Sequence, residues 1–329
     1  MSVSTNGSSQ GRLVTVFGGS GFVGRQVARV LARRGWRVRA AVRRPDLAGA
    51  LQPCGNPGQV VAVQANVRRE HRWSVERAVE GADAVVNLVG LLAEGGKQRF
   101  DDVMADGAHM IADAARGAGI EAMVQVSAIG ANPESASGYA RAKAVGEQAV
   151  LAVLPKSVVL RPSVMFGPDD DFFNRLGFLA SLSPVLPLIG GGQTRFQPVF
   201  VRDVAEAIAD AVEGKAKAGT TYELGGPEVK TFRECVEAVL VATHRKRLLV
   251  PLPFGLAKFQ ARFLQMLPKP LLTVDQVELL KSDNVVSDAA VAEGRTFAGL
   301  GISPTSIEAE LDGYLWRFRP RGQFDRKPA

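Results

Sequence analysis

Phe17-Gly18-Gly19-Ser20-Gly21-Phe22-Val23-Gly24 is the stretch on which the reading of the fold turns. Ahead of it, Leu13 to Phe17 is the kind of apolar and β-branched run that a buried strand needs. Behind it, Phe22, Val23, Val27, Val30 and Leu31 recur at helical spacing until Arg33, Arg34 and Gly35 close the segment. Strand, glycine-rich turn and helix in that order make a phosphate cradle. The first glycine permits the tight turn and the middle one lets the backbone approach a pyrophosphate. The third allows the helix to pack close, while free helix N–H groups face the anion. Gly18, Gly19, Ser20, Gly21, Phe22, Val23 and Gly24 are therefore the expected dinucleotide-binding residues.

Working outward, short apolar runs at 36–42, 60–63, 84–89, 123–126 and 158–160 alternate with amphipathic segments, the signature of a parallel sheet wrapped by helices. The pattern predicts an α/β, Rossmann-type doubly wound sheet with a smaller C-terminal α/β lobe. Residues 1–11 read as a disordered tail and 12–168 as the dinucleotide-binding domain, with 196–224 returning to it. Residues 169–329 form the second lobe, where Pro and Gly thicken and 199–201 and 221–224 look like strands.

At the end of the second strand, where an NAD enzyme places an acid about 20 residues beyond the glycines, the chain reads Val42-Arg43-Arg44-Pro45. Guanidinium groups offer two-pronged hydrogen bonds to a 2′-phosphate, so Arg43 and Arg44 point to NADP(H) in preference to NAD(H).

Tyr139 and Lys143 stand four residues apart, on one face of a helix. A nearby ammonium favours the phenolate, making Tyr139 a candidate general acid or base. Ser127 follows a strand end and can hydrogen-bond a substrate oxygen as charge develops on it.

The 329 residues are 46% hydrophobic and 22% charged, which excludes a disordered chain and a small stapled scaffold. A net charge of +7 admits an anionic partner. The basic residues are interleaved with acids and no aromatic-basic ladder is present, so nucleic acid is not expected. Cys54 and Cys235 lie far apart, and His71, His109 and His244 have no partner at ligand spacing, so no metal is expected. Residues 1–11 show neither a secretory signal nor an Arg-rich transit peptide. The expectation is a cytoplasmic protein of bacterial type, peripherally associated with the inner-membrane face.

The glycine turn, Asn87-Leu88-Val89-Gly90, the Tyr139 and Lys143 pair, and Arg161-Pro162 leading to Gly167-Pro168 together resemble the short-chain dehydrogenase/reductase superfamily in its extended or atypical branch. Leu186-Pro187-Leu188-Ile189-Gly190-Gly191-Gly192, Thr194-Arg195-Phe196-Gln197-Pro198-Val199, Tyr222-Glu223-Leu224-Gly225-Gly226-Pro227-Glu228 and Asp275-Gln276-Val277-Glu278-Leu279-Leu280 narrow the likeness. With them the chain resembles the alpha subcomplex subunit 9 family, the Rossmann-type accessory subunit of respiratory complex I. The resemblance implies a protein that holds NADPH tightly on the peripheral arm of NADH:ubiquinone oxidoreductase, close to the quinone-binding region, with no established turnover. It also implies that Val89 and Gly90 flank the cofactor and that Tyr139 and Lys143 meet the nicotinamide ribose. Asn66 stands where many relatives have an adenine-contacting Asp; an amide can donate and accept there. The competing expectation is a free-standing NADPH-dependent reductase or epimerase using Tyr139 as proton donor.

Residues 251–270 carry Phe254, Leu256, Phe259, Phe263, Leu264, Met266 and Leu267, with Lys258, Arg262 and Lys269 as the only charges. A basic amphipathic helix of this kind suits an anionic membrane surface or a neighbouring subunit.

Overall fold

Alternation along the first strand sets the layers. Val14 and Val16 are fully buried on one face and Thr15 and Phe17 on the other, so a strand wholly enclosed by helices is required. The computed structural model describes residues 11–96, 98–267 and 270–324. The expected tail, except for Gly11, and Lys269 lie outside the described residues.

The first half of the chain runs β1 (Leu13–Phe17), α1 (Phe22–Arg33), β2 (Arg37–Val42), β3 (Val60–Gln64), α2 (Arg72–Val79), β4 (Ala84–Asn87), α3 (Asp106–Gly117), β5 (Val124–Val126), α4 (Gly138–Val153) and β6 (Val158–Pro162). It continues through β7 (Met165–Phe166), α5 (Phe172–Leu182), β8 (Val185–Ile189), β9 (Arg195–Phe196), β10 (Val199–Phe200), α6 (Val201–Val212) and β11 (Thr221–Leu224). The last part holds β12 (Lys230–Thr231), α7 (Phe232–Ala242), β13 (Leu248–Leu252), α8 (Phe254–Leu264), α9 (Val274–Leu279), α10 (Asp288–Ala292) and α11 (Ile307–Leu315).

Seven strands form one parallel sheet in the order β11-β6-β5-β4-β1-β2-β3. This is the doubly wound architecture expected from the strand pattern. Its order reverses between β1 and β4, and a ligand crevice opens at such a switch point. One core lies between the sheet and α1 with α6, built on Val16, Val27, Leu31, Val38 and Ile208. The opposite core packs Phe17, Val75, Val85, Ile111 and Val150 under α2, α3 and α4.

Two expected boundaries shift for local reasons. The strand expected at 84–89 stops at Asn87, whose side-chain Oδ1 accepts from Val89 N at 3.0 Å and turns the chain. The strand expected at 199–201 ends at Phe200; Val201 opens α6, whose buried face packs on α1.

Candidate functional site

At the switch point the turn after β1 meets the turn after β4. Gly18 adopts φ +78°, and a Cβ there would sit 3.3 Å from the backbone of Leu88. At Gly24 a Cβ would lie 2.5 Å from the Gly19 carbonyl carbon, so the third glycine is where helix and turn touch. Gly21 is different: a Cβ would meet only Gly18 O, at 3.3 Å, and the residue is exposed. Its open side is the one a pyrophosphate would approach.

No side chain caps the N-terminus of α1, and its first turn holds no acid. The opening amides of the helix, from Phe22 to Gly24, thus face outward, the arrangement that attracts an anion. Arg25, which the sequence reading passed over, sits beside them. Its Nη1 donates to Ser20 O at 3.0 Å and its Nη2 to Asp169 at 2.8 Å, tying the glycine turn to the loop after β7. A cation in the first helical turn opposes the helix dipole, and that was the available signal.

The two arginines after β2 separate. Arg44 reaches Asp46 through Nε at 2.9 Å and Nη2 at 2.6 Å, an exposed ion pair that would compete with a 2′-phosphate for its guanidinium. Arg43 is exposed and makes no ion pair or hydrogen bond among the described residues. Asn66 follows β3, where its Oδ1 accepts from Arg68 N at 3.3 Å, leaving its amide NH₂ to donate.

Lys143, on α4, is 5% exposed. Its Nζ donates to Val126 O at 3.2 Å and Val89 O at 3.4 Å, and lies 5.9 Å from the Tyr139 ring centroid. A Cβ on Gly90 would stand 3.4 Å from Nζ, so Gly90 leaves the ammonium open on that side. Ser127 Oγ, just past β5, is buried without a hydrogen-bond partner. Lys143 Nζ thus brings Tyr139, Val89 and Gly90 to the end of β5, where Ser127 is the next residue after Val126.

The electrostatics reverse one expectation. Lys143 does not lower the Tyr139 phenol; burial and the Asp275 carboxylate push it up to about 12. Burial brings Lys143 itself down to about 8, against a smaller opposing pull from Glu147. Glu147 is engaged elsewhere, bidentate to Arg161 at 2.9 and 2.6 Å. At neutral pH Tyr139 is thus a protonated hydroxyl. Asp275 belongs to α9, 137 positions from Gly138, whose N–H it accepts at 2.6 Å; no local pattern could have paired them.

The residues fit a nicotinamide dinucleotide on two counts: a glycine turn whose close approaches a Cβ would block, and a buried hydroxyl, Ser127 Oγ, with no partner. A dinucleotide-binding Rossmann protein is the class that this fold and site define. The model of the NAD dependent epimerase/dehydratase family matches residues 14–225. NADH dehydrogenase [ubiquinone] 1 alpha subcomplex subunit 9, mitochondrial, of Arabidopsis thaliana is 36% identical over 96% of this chain and 80% of its own length. The Rattus norvegicus subunit of that name is 33% identical over 95% of this chain and 82% of its own. The chain belongs to the alpha subcomplex subunit 9 family, within the wider epimerase/dehydratase family. The fold is shared by UDP-glucose 4-epimerase of Thermus thermophilus in complex with NAD, at TM-score 0.65 and 22% identity, covering 94% of this chain and 99% of that one. The expected cofactor class, a nicotinamide dinucleotide, agrees with this family. The bacterial-type cytoplasmic placement is overturned, because both relatives are mitochondrial by name; they point to a mitochondrial location.

Proposed function

We propose that the chain is an accessory subunit of NADH:ubiquinone oxidoreductase, on the peripheral arm near the quinone-binding region, that holds NADP(H) as a structural or regulatory element. The observation that carries this reading is the closure of Tyr139 by α9. Asp275 takes both the Ser137 hydroxyl, at 2.8 Å, and the Gly138 amide at the start of α4, and its charge keeps the phenol protonated. A site built so holds a nucleotide better than it turns one over.

A bound nicotinamide dinucleotide supplies hydride-transfer capacity. This chain's own residues do the rest. The amides of Phe22, Val23 and Gly24 bind the pyrophosphate, Arg43 binds the 2′-phosphate and Asn66 donates to adenine. Val89 and Gly90 flank the nicotinamide half. Lys143 has three donors and spends two on carbonyls, leaving one for a ribose hydroxyl.

Ser127 Oγ favours a second reading, an NADPH-dependent reductase or epimerase. Buried and unpartnered, it would hydrogen-bond a substrate carbonyl oxygen while Tyr139 donates the proton.

For the membrane-facing segment we assign α8 to an anionic bilayer surface. Ala257 and Ala261 are buried against the protein while Leu256, Phe259, Phe263 and Met266 are exposed. Lys258 is paired with Glu278, which leaves Arg262 to face lipid headgroups.

Fractionation of mild-detergent membrane extracts tests the assignment. The chain should co-migrate with NADH:ubiquinone oxidoreductase activity; recovery only in the soluble fraction, with NADPH-dependent carbonyl reduction that Tyr139→Phe abolishes, would establish the enzyme instead.

A further inference from the structure

β3 is an outer strand of the seven-stranded sheet, and among the described residues no strand pairs with its free edge. Val38 N donates to Gln59 O at 2.8 Å and Ala65 N to Val42 O at 2.9 Å. By the alternation of a parallel ladder, residues 61 and 63 then bond to β2, and the N–H and C=O groups of Val60, Ala62 and Gln64 point outward. Strand edges of this sort are usually blunted by Lys, Pro or a bulge. Here the strand reads Val-Val-Ala-Val-Gln, and Val61 is half exposed.

Beside this edge runs an open groove of about 530 Å³, lined by Arg39, Val63, Trp73, Arg77 and Glu80. Trp73 is 57% exposed, a large apolar surface with nothing covering it. The charge is lopsided. Arg77 and the neighbouring Arg37 make no side-chain hydrogen bond or ion pair among the described residues. Arg39 is anchored through Nη1 to Ala78 O at 2.8 Å and Glu80 O at 2.7 Å, which fixes its guanidinium at the end of α2 with its remaining donors uncommitted. Burial and repulsion from Arg37 hold its pKa below the ordinary value, against a smaller pull from Glu80. An incoming anion would relieve that repulsion. A second copy of this chain would bring the same guanidiniums and worsen it.

We propose that this edge docks an extended acidic segment of a partner protein, which adds beside β3 as an eighth strand. Alternate carboxylates, on the groove face, meet Arg39 and Arg77, while the apolar side chains between them turn to the opposite face, beside Val60 and Ala62. Main-chain hydrogen bonds to Val60, Ala62 and Gln64 supply affinity, and the guanidiniums set the charge specificity.

The test titrates the full chain with a labelled Glu-Val-Glu-Val-Glu-Val-Glu peptide, read by fluorescence anisotropy, with amide hydrogen exchange on the bound and free protein. Saturable binding is expected, with new protection at Val60, Ala62 and Gln64. Replacing the glutamates by threonine, or Arg77→Glu in the protein, should weaken binding by about tenfold or more. Ala62→Pro, which removes an outward N–H, should do the same; Arg77 is exposed, so its variant stands even where the proline variant misfolds. Absence of binding, equal binding of the threonine peptide, or indifference to Arg77→Glu overturns the proposal. So does binding without amide protection, which marks a diffuse charge effect, or a dimer in solution that Ala62→Pro dissociates, which marks a copy interface.

Discussion

The carboxylate of Asp275 closes the N-terminus of the helix that carries Tyr139, with Oδ1 accepting from Gly138 N at 2.6 Å and Oδ2 from Ser137 Oγ at 2.8 Å. A segment late in the chain thereby governs a residue of its first half. The contact acts twice: the carboxylate complements the positive end of α4, and it opposes ionisation of the phenol. Phe100 adds an edge-on ring contact to Tyr139 at 6.0 Å, so the phenol is walled on a second side.

Asp275→Asn keeps the shape and removes the charge. Stability should fall by about 1 kcal/mol, from the lost interaction with the helix terminus. The Tyr139 titration should move down from about 12. Absorbance at alkaline pH, compared with Tyr139→Phe in the same background, separates this phenol from Tyr222 and Tyr314.

Lys143 carries a measurable pH signature. Its folded pKa, about 8, lies below the ordinary 10.5, so the unfolded chain holds the extra proton between those values. Stability should therefore rise as pH climbs from about 8 to about 10.5, the full cost of the buried charge being present below that window. Lys143→Met should flatten this rise and stabilise the protein at neutral pH by about 1–2 kcal/mol, after allowing for the two carbonyls left unpaired. The same variant should bind NADPH more weakly. Thermal unfolding across pH and a binding titration check the two halves.

The glycines of the turn should part company. Gly24→Ala forces a Cβ against the Gly19 backbone and should cost about 1–3 kcal/mol of stability. Gly21→Ala meets one backbone oxygen, at 3.3 Å, and should cost less stability than Gly24→Ala while weakening NADPH binding.

The proposed preference for NADP(H) rests on Arg43. Arg43→Glu should weaken NADPH by about 1.5–3 kcal/mol and leave NADH far less affected. Arg44→Ala should do little to NADPH and improve NADH, because it releases Asp46 from its ion pair. Isothermal titration with both nucleotides measures each arm.

The sheet was legible because parallel strands buried on both faces must be apolar throughout: Leu13 to Phe17 and Ala84 to Asn87 announce themselves, and the glycine turn orients them. The proposed glycine, Tyr139 and Lys143 positions come from local spacing alone. What escaped depends on distance or competition. Asp275 reaches Gly138 across 137 positions, and Asp169 reaches Arg25 across 144. Arg44 looks free in the sequence, but the short turn at Pro45–Leu47 puts Asp46 in its grasp. Spacing gives the Tyr139 titration the wrong sign because it reveals a neighbouring ammonium and conceals burial.

Calorimetric titration of nucleotide-stripped protein with NADPH bears most directly on the account. Saturation at one nucleotide per chain, weakened by Gly21→Ala in protein that remains folded, is the predicted result. A flat titration of well-folded protein, or full affinity in the Gly21→Ala variant, contradicts it.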